Sequence, residues 1–332
     1  MKTVTKNLFR GCLLGQCLGD ALGAPVEGCD GDTCYDYIYN KVEHWYDRSL
    51  SDEHWIGQYT DDSQLARELT ISLVKHSDFN PEDYAGRIAE IFKENRIVGR
   101  GIASDNAARR LIAGAPWDKA GMAAPAAGNG TAMRAAPIGM FYYDNQEKLT
   151  EYAHQQGYIT HQDPRCSAGS IAIAGAVALV LRAEDIRTDE FVTKLFDWMR
   201  PYHEEFAQLV LQLPDFITEE PEEVVDTIAH AGMPPGQHPH WPGISPFVVS
   251  SVIWSLYAFL KYPDSYQKAV NLSIQVGSDV DTTGAMTGAI SGAYLGLEAL
   301  PKHLVEKVND YDTWGYSELV RLADRCYDIV HG

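Results

Sequence analysis

Basic charge is scarce in this chain: 27 Lys and Arg stand against 46 Asp and Glu, a formal net charge of −19 over 332 residues. A surplus of acid on this scale argues against non-specific nucleic-acid binding and against docking on anionic membrane surfaces. Its ordinary meaning is solvated surface, and it is compatible with divalent cations. No apolar run reaches the ~20 residues needed to cross a bilayer. The N-terminal MKTVTKNLFRGCLLGQCLGDALGAP has the outline of a signal peptide, with Lys2, Lys6 and Arg10 ahead of a Leu-rich stretch. Gln16 and Asp20 interrupt that stretch, so the segment is predicted to be an amphipathic first helix.

Several metal signatures are also missing. The six cysteines are Cys12, Cys17, Cys29, Cys34, Cys166 and Cys326, and the early four form two pairs spaced by five residues rather than C-x₂-C knuckles. Buried free thiols in a reducing cytoplasm are the expectation. There is no H-E-x-x-H, and the closest histidines, His238 and His240, sit in a Pro-rich segment. Neither Asp30-Gly31-Asp32 nor Asp279-Val280-Asp281 continues into an EF-hand loop with its final glutamate.

Convincing alternating strands are scarce, whereas helical periodicity is plentiful. Leu8, Cys12, Leu18 and Leu22 share a face, as do Leu65, Leu69, Leu73 and Val74. Buried helices are predicted over Ser167–Arg182, Ser245–Lys261 and Thr282–Leu295. The last carries small residues on successive turns, Gly284, Ala285, Gly288, Ala289, Ser291 and Gly292, which suits close helix packing at the centre of the fold. Breakers cluster at Ala24–Asp36, Ala113–Gly130 and Met233–Pro246, which are predicted loops. With 45% hydrophobic residues and no repeat or evident linker, residues 1–332 are expected to form one all-α domain, a compact multi-helix bundle.

Two acidic clusters stand at predicted helix starts: Thr60-Asp61-Asp62-Ser63, and Ser278-Asp279-Val280-Asp281-Thr282-Thr283. Thr60 is placed to cap its helix. Either cluster alone is explained by the helix dipole, at ~0.3–1 kcal/mol per carboxylate. Taken together they say more. Four carboxylates converging in a partly buried site repel unless protonated or neutralised, and hard divalent cations favour such oxygen ligands. A magnesium or manganese pair is the physical hypothesis, provided the clusters meet in space.

At this point the residues resemble those of the ADP-ribosylglycohydrolase family. The resemblance runs from about Phe9 to Pro301. It rests on ordered segments: Gly11-Cys12-Leu13-Leu14-Gly15 through Gly19-Asp20-Ala21-Leu22-Gly23 to Glu27-Gly28, then Thr60-Asp61-Asp62-Ser63, Gly128-Asn129-Gly130-Thr131-Ala132-Met133-Arg134, Thr160-His161 and Gly277-Ser278-Asp279-Val280-Asp281-Thr282-Thr283. It implies an orthogonal all-α bundle with two Mg2+ or Mn2+ ions. By motif the metal ligands are Thr60, Asp61, Asp62, Asp279, Asp281 and Thr282. Ser63 departs from the family's threonine, and Ser278 and Val280 from its glycine and threonine, with no carboxylate lost.

The resemblance further implies an acid/base or substrate-positioning role for Glu27, where the residue alone reads as an exposed loop glutamate. Asn129 and Gly130 are implied at the ADP-ribose cleft, with Gly99, Arg100 and Gly101 a second glycine loop suited to a diphosphate. His161 is implied to contact ribose or phosphate; a core histidine bonded to backbone is the competing reading. Arg134 is read as a buttress of the Asn129 loop, and Phe141, Tyr142 and Tyr143 as nearby aromatics for the adenine.

The expected activity is metal-dependent hydrolysis at the distal ribose, releasing ADP-ribose from an ADP-ribosylated protein or ADP-ribose conjugate. Asp62, Glu27 and Asp281 carry the chemistry. Arginine-linked ADP-ribose is the first choice, with serine-linked ADP-ribose and O-acetyl-ADP-ribose next. The competing classes are a non-catalytic ADP-ribose binder or helical scaffold, and a metal-dependent phosphohydrolase that cuts the diphosphate.

Overall fold

Helices are the regular elements of the computed structural model, which describes residues 2–46, 55–234 and 241–332. Among those residues there is no strand, only isolated bridges such as Gly128 with Phe247. The principal helices are α1 (Lys6–Gly23), α2 (Gly31–Tyr37), α3 (Asp61–His76), α4 (Pro81–Lys93), α5 (Ile102–Ile112), α6 (Gln146–Tyr158), α7 (Pro164–Arg182), α8 (Thr188–Met199), α9 (Val248–Lys261), α10 (Tyr266–Gln275), α11 (Val280–Leu295) and α12 (Tyr316–His331). This is the all-α bundle that the periodicity predicts.

The first helix is not amphipathic. From Leu8 to Gly23 every residue of α1 except Arg10 is buried. The cause is α11, which runs antiparallel to α1 along a stripe of glycines. A β-carbon on Gly11 would lie 2.2 Å from the carbonyl oxygen of Gly292, one on Gly15 2.4 Å from that of Gly288, and one on Gly19 2.1 Å from that of Gly284. Four-residue steps keep these positions on one face of each helix. No larger residue fits there, so the propensity cost of glycine, ~1 kcal/mol each, is accepted for contact between bare backbones. The pairing brings the C-terminal end of α1 to the start of α11, with Gly23 against Val280 and Asp281.

Helix α7 is long and apolar enough to cross a membrane by length and composition, although Arg165 and Arg182 bracket its apolar stretch. Its apolar window is 83% buried, against α6, α8, α9 and α11, as befits a core helix. Helix α9 starts at Val248, three residues later than predicted. The chain before it runs beside Gly277–Asp279, with Ile244 N–H donating to Gly277 O (3.3 Å) and Asp279 N–H to Ile244 O (3.0 Å). The predicted loop Ala24–Asp36 contains most of α2, because Asp30 caps that helix by accepting from Thr33 N–H at 2.8 Å. The stretch Ala113–Gly130 is largely turns, as expected. His238 and His240 lie outside the described residues.

All six thiols are free, and all but the half-buried Cys29 are buried. The C-terminal segment is tied to α3 by a buried polar network. Arg67, fully buried, pairs with Asp310 at 2.7 Å and Glu68 at 3.0 Å, and donates to the Tyr59 hydroxyl at 3.1 Å.

Candidate active site

The start of α3 is held from outside its own helix. Thr60 occupies the N-cap position, but its side chain does not cap, contrary to expectation. The cap is Asp20 of α1. Its Oδ1 accepts from Thr60 N–H (2.9 Å) and from the Thr60 hydroxyl (2.9 Å), and its Oδ2 accepts from Ser63 N–H (3.0 Å). One turn earlier on α1, the Gln16 amide donates to Asp62 O (3.1 Å) and Met133 O (2.8 Å). The other side of the turn is fixed by Asp61 N–H donating to Val98 O at 2.8 Å.

The start of α11 is held by crossed backbone bonds. Ser278 N–H donates to Cys29 O (2.8 Å) and Gly28 N–H to Ser278 O (2.7 Å), which pins the Glu27 loop to the second acidic cluster. Ser278 has φ +82°, a region that favours glycine. The departure from the family's glycine therefore falls at a strained position. One carboxylate oxygen each from Glu27, Asp279 and Asp281 lies within 4.8 Å of the others, Glu27 on the exposed side and the two aspartates buried. Thr282 N–H donates to Asp281 Oδ1 at 2.8 Å, and the Asn129 amide donates to Asp279 Oδ2.

The two clusters face one another: α3 touches α11, and Asp61 and Asp62 feel the charge of the second cluster, although they are not in the 4.8 Å group of Glu27, Asp279 and Asp281. Asp61, Asp62, Asp279 and Asp281 are each at most 6% exposed. Burial, then the charges of Asp20, Glu27 and Asp279, pushes the Asp61 carboxyl well above its ordinary range. Burial, then Asp281, Asp20, Asp61 and Asp279, does the same to Asp62. Asp281 is raised well above that range by burial, then by Asp279, Glu27 and Asp20. Burial lifts Asp279 to about 7 despite the hydrogen bond from Asn129. Asp62 Oδ1 is buried with no hydrogen-bond partner. Buried carboxylates that raise one another's pKa, with an orphaned oxygen among them, form a donor set suited to a hard divalent cation.

The ADP-ribosylglycohydrolase family model matches residues 1–332. The chain belongs to the ADP-ribosylglycohydrolase family. Its activity class is therefore hydrolysis of ADP-ribosyl groups. Among its relatives, the ADP-ribosylhydrolase ARH3 of Homo sapiens is 28% identical over 346 residues, covering 92% of this chain and 90% of that protein. The ADP-ribosyl-dinitrogen reductase glycohydrolase of Rhodospirillum rubrum is 24% identical over 308 residues, covering 90% and 89%. A solved ADP-ribosylglycohydrolase-related protein complex superimposes with a TM-score of 0.70 at 25% identity, over 98% of both chains.

The remaining predicted residues of this glycohydrolase fall in two groups. Gly99, at φ +71°, lies over the first cluster: a β-carbon there would be 3.3 Å from Asp61 Oδ1. The Gly101 backbone works against the upward shift of the Asp61 carboxyl. Arg100, between them, is engaged by Asn95 and by Asp105 (3.4 Å) and lies over the Phe92 ring. The Asn129 N–H is already committed to Pro246 O at 2.9 Å.

His161 packs its ring under the same loop. A β-carbon on Gly130 would meet its Cε1 at 2.9 Å, and its Nδ1 shares a 2.8 Å hydrogen bond with the Thr160 hydroxyl. Burial, then the Arg134 charge, lowers its pKa to about 3, so the ring is neutral. Arg134 is the buttress expected of it, donating to Gln156 (2.9 Å) and Thr160 (2.7 Å) beneath the loop.

The three aromatics considered for the adenine are engaged elsewhere. Phe141 and Tyr142 are buried, the Tyr142 hydroxyl donates to Asp78 at 2.6 Å, and Tyr143 stacks on His331 of α12. Sequence reasoning assigned no part to Asp20 or Gln16. The available signal was their position: two polar residues one turn apart inside an apolar helix.

Proposed function

We propose that the protein releases ADP-ribose from ADP-ribosylated side chains or ADP-ribose conjugates, with the arginine linkage as its first substrate class. The observation that carries this reading is the meeting of Asp61, Asp62, Asp279 and Asp281 in one buried group whose Asp62 Oδ1 lacks a partner. Thr60, Asp61, Asp62, Asp279, Asp281 and Thr282 would hold two Mg2+ or Mn2+ ions, whose charge would balance theirs. When bound, such ions acidify water and polarise hydroxyl oxygens.

The chain's own groups do the rest. Asn129 holds Asp279 by its amide and fixes the direction of that carboxylate. Glu27, on the solvent side of Asp279 and Asp281, is placed for proton exchange at the departing nitrogen or oxygen, with Asp62 as the second candidate. Glu27, an exposed carboxylate outside the proposed ligand set, attracts a guanidinium more strongly than a neutral hydroxyl, which supports arginine over serine. Gly99 keeps the wall over Asp61 thin enough for a diphosphate to approach backbone N–H groups.

The test is incubation with matched ADP-ribosyl-arginine and ADP-ribosyl-serine peptides, with and without Mg2+, read by mass spectrometry. Free ADP-ribose, formed faster from the arginine peptide and nearly abolished in Asp281→Asn, is the expected outcome. AMP plus ribose phosphate would identify a phosphohydrolase instead. Full activity of Asp281→Asn with metal present would remove Asp281 from the mechanism.

A further inference from the structure

Two carboxylates compete for one proton at the start of α3. The Thr60 hydroxyl lies 2.9 Å from Asp20 Oδ1 and 3.0 Å from Asp62 Oδ2. A hydroxyl has one hydrogen to donate and two lone pairs to offer. It therefore satisfies one of these oxygens, and presents lone pairs to whatever lies beside the other.

The surroundings of the two carboxylates are unequal. Asp20 collects two backbone N–H groups besides the hydroxyl, from Thr60 (2.9 Å) and Ser63 (3.0 Å), and is fully buried between helices. Asp62 has an oxygen, Oδ1, with no partner at all, although it is buried. Asp20 has the environment of an acceptor, with three hydrogen bonds directed at it. Asp62 has that of a group awaiting a cation.

We propose that Asp20 is a positioning residue for cation binding: by taking the Thr60 hydroxyl proton and gripping the Thr60 and Ser63 N–H groups, it turns the lone pairs of Thr60 Oγ1 toward a divalent cation beside Asp62. The inference rests on the reading that Thr60 and Asp62 face such a cation. Asp20 itself touches neither substrate nor cation. It acts through the α3 turn, as outer-shell partners do when they orient ligands around a metal. It also explains why Thr60 does not cap its own helix: Asp20 supplies the cap from α1, leaving the threonine oxygen available.

The same arrangement joins the two halves of the site. Gly19, next to Asp20, sits against Gly284 of α11, and Gly23 sits against Asp281. The helix that aims Thr60 is thus the one packed against the second acidic cluster. Gln16, one turn back, holds the Asp62 carbonyl and repeats the grip.

The test uses Asp20→Asn, which is close in shape. An asparagine amide turns an NH2 toward either Ser63 N–H or the Thr60 pair, so one acceptor contact becomes a donor facing a donor. Mn2+ titration followed by electron paramagnetic resonance, on the intact chain, is expected to show binding weakened about 10- to 100-fold. Thr60→Val is expected to weaken binding, Thr60→Ser to retain it, and Asp20→Asn to add little once Thr60 is valine. Losses that simply add in the double variant, or unchanged affinity in Asp20→Asn, overturn the inference while leaving the carboxylate site intact. No Mn2+ binding by the wild-type protein sinks both readings.

Should Asp20→Asn fail to fold, wild-type protein with labelled threonine and saturating Mg2+ provides the second measurement. The Thr60 hydroxyl proton, assigned by its loss in Thr60→Val, is expected as a slowly exchanging resonance. A hydroxyl that exchanges at the solvent rate overturns the proposal.

Discussion

A β-carbon on Gly19 would lie 2.1 Å from the carbonyl oxygen of Gly284, closer than two non-bonded atoms can come. That contact sets the spacing of α1 and α11. Since Asp20 follows Gly19, and Asp279 and Asp281 stand at the start of α11, it also sets the spacing of the acidic site.

Gly19→Ala is therefore expected to part the two helices. Overpacking of this kind costs about 1–3 kcal/mol or more. The loss should appear in urea unfolding, together with weakened Mn2+ binding. A variant with unchanged stability and cation affinity would show that the helix spacing does not govern the site.

Gly86 makes the opposite case. It is exposed in the middle of α4, and a β-carbon there meets nothing within 4 Å. Gly86→Ala is expected to stabilise the protein by about 0.5–1 kcal/mol, read as a rise in the urea midpoint. A lower midpoint would contradict the open space around Gly86.

The stability of the cation-free protein should fall as pH rises. Burial lifts Asp20 to about 6 and Asp279 to about 7, and raises Asp61, Asp62 and Asp281 well above the ordinary carboxylate range. Unfolded, these groups titrate at about 4. Between about pH 4 and 7 these carboxyls hold more protons folded than unfolded, and they outnumber His154 and His161, whose lowered values work the other way, so raising pH through that window removes stability. A divalent cation binds the deprotonated carboxylates, so its stabilising effect should grow over the same window. Melting with EDTA and with Mg2+ at pH 5 and pH 8 checks this; a Mg2+ effect larger at pH 5 would be the contrary result.

Arg67 should be costly to remove. It is fully buried and holds Asp310 at 2.7 Å. Arg67→Met leaves that aspartate buried without its cation, a loss of about 3–5 kcal/mol. An equilibrium urea curve reads it directly. A change under about 1 kcal/mol, the scale of an exposed pair, would mean that Gln58 and Gln64, which also reach Asp310, suffice.

Much of the candidate site was legible because its chemistry is local. Asp61, Asp62, Asp279 and Asp281 stand at two helix starts, Asp61 and Asp281 beside threonines, and that pattern survives without coordinates. Asp20 was not legible. In an apolar helix it reads as an interruption, and only the neighbour that receives it gives it meaning. The Thr60 cap was misread for the same reason: a cap is usually supplied from within four residues, and here it comes from a residue 40 positions earlier. The first helix looked amphipathic because its polar residues fall where a solvent face would be, while the glycines that bury it announce no partner.

From sequence alone came the helical class, the four buried aspartates as candidate ligands and the family likeness, since periodicity and motif spacing are properties of neighbouring residues. Folding alone decided that the two acidic segments meet, that Glu27 stands at their exposed side and that Asp20 reaches across to hold Thr60. Those are contacts between residues far apart in the chain, made possible by two glycine-faced helices approaching until their backbones touch.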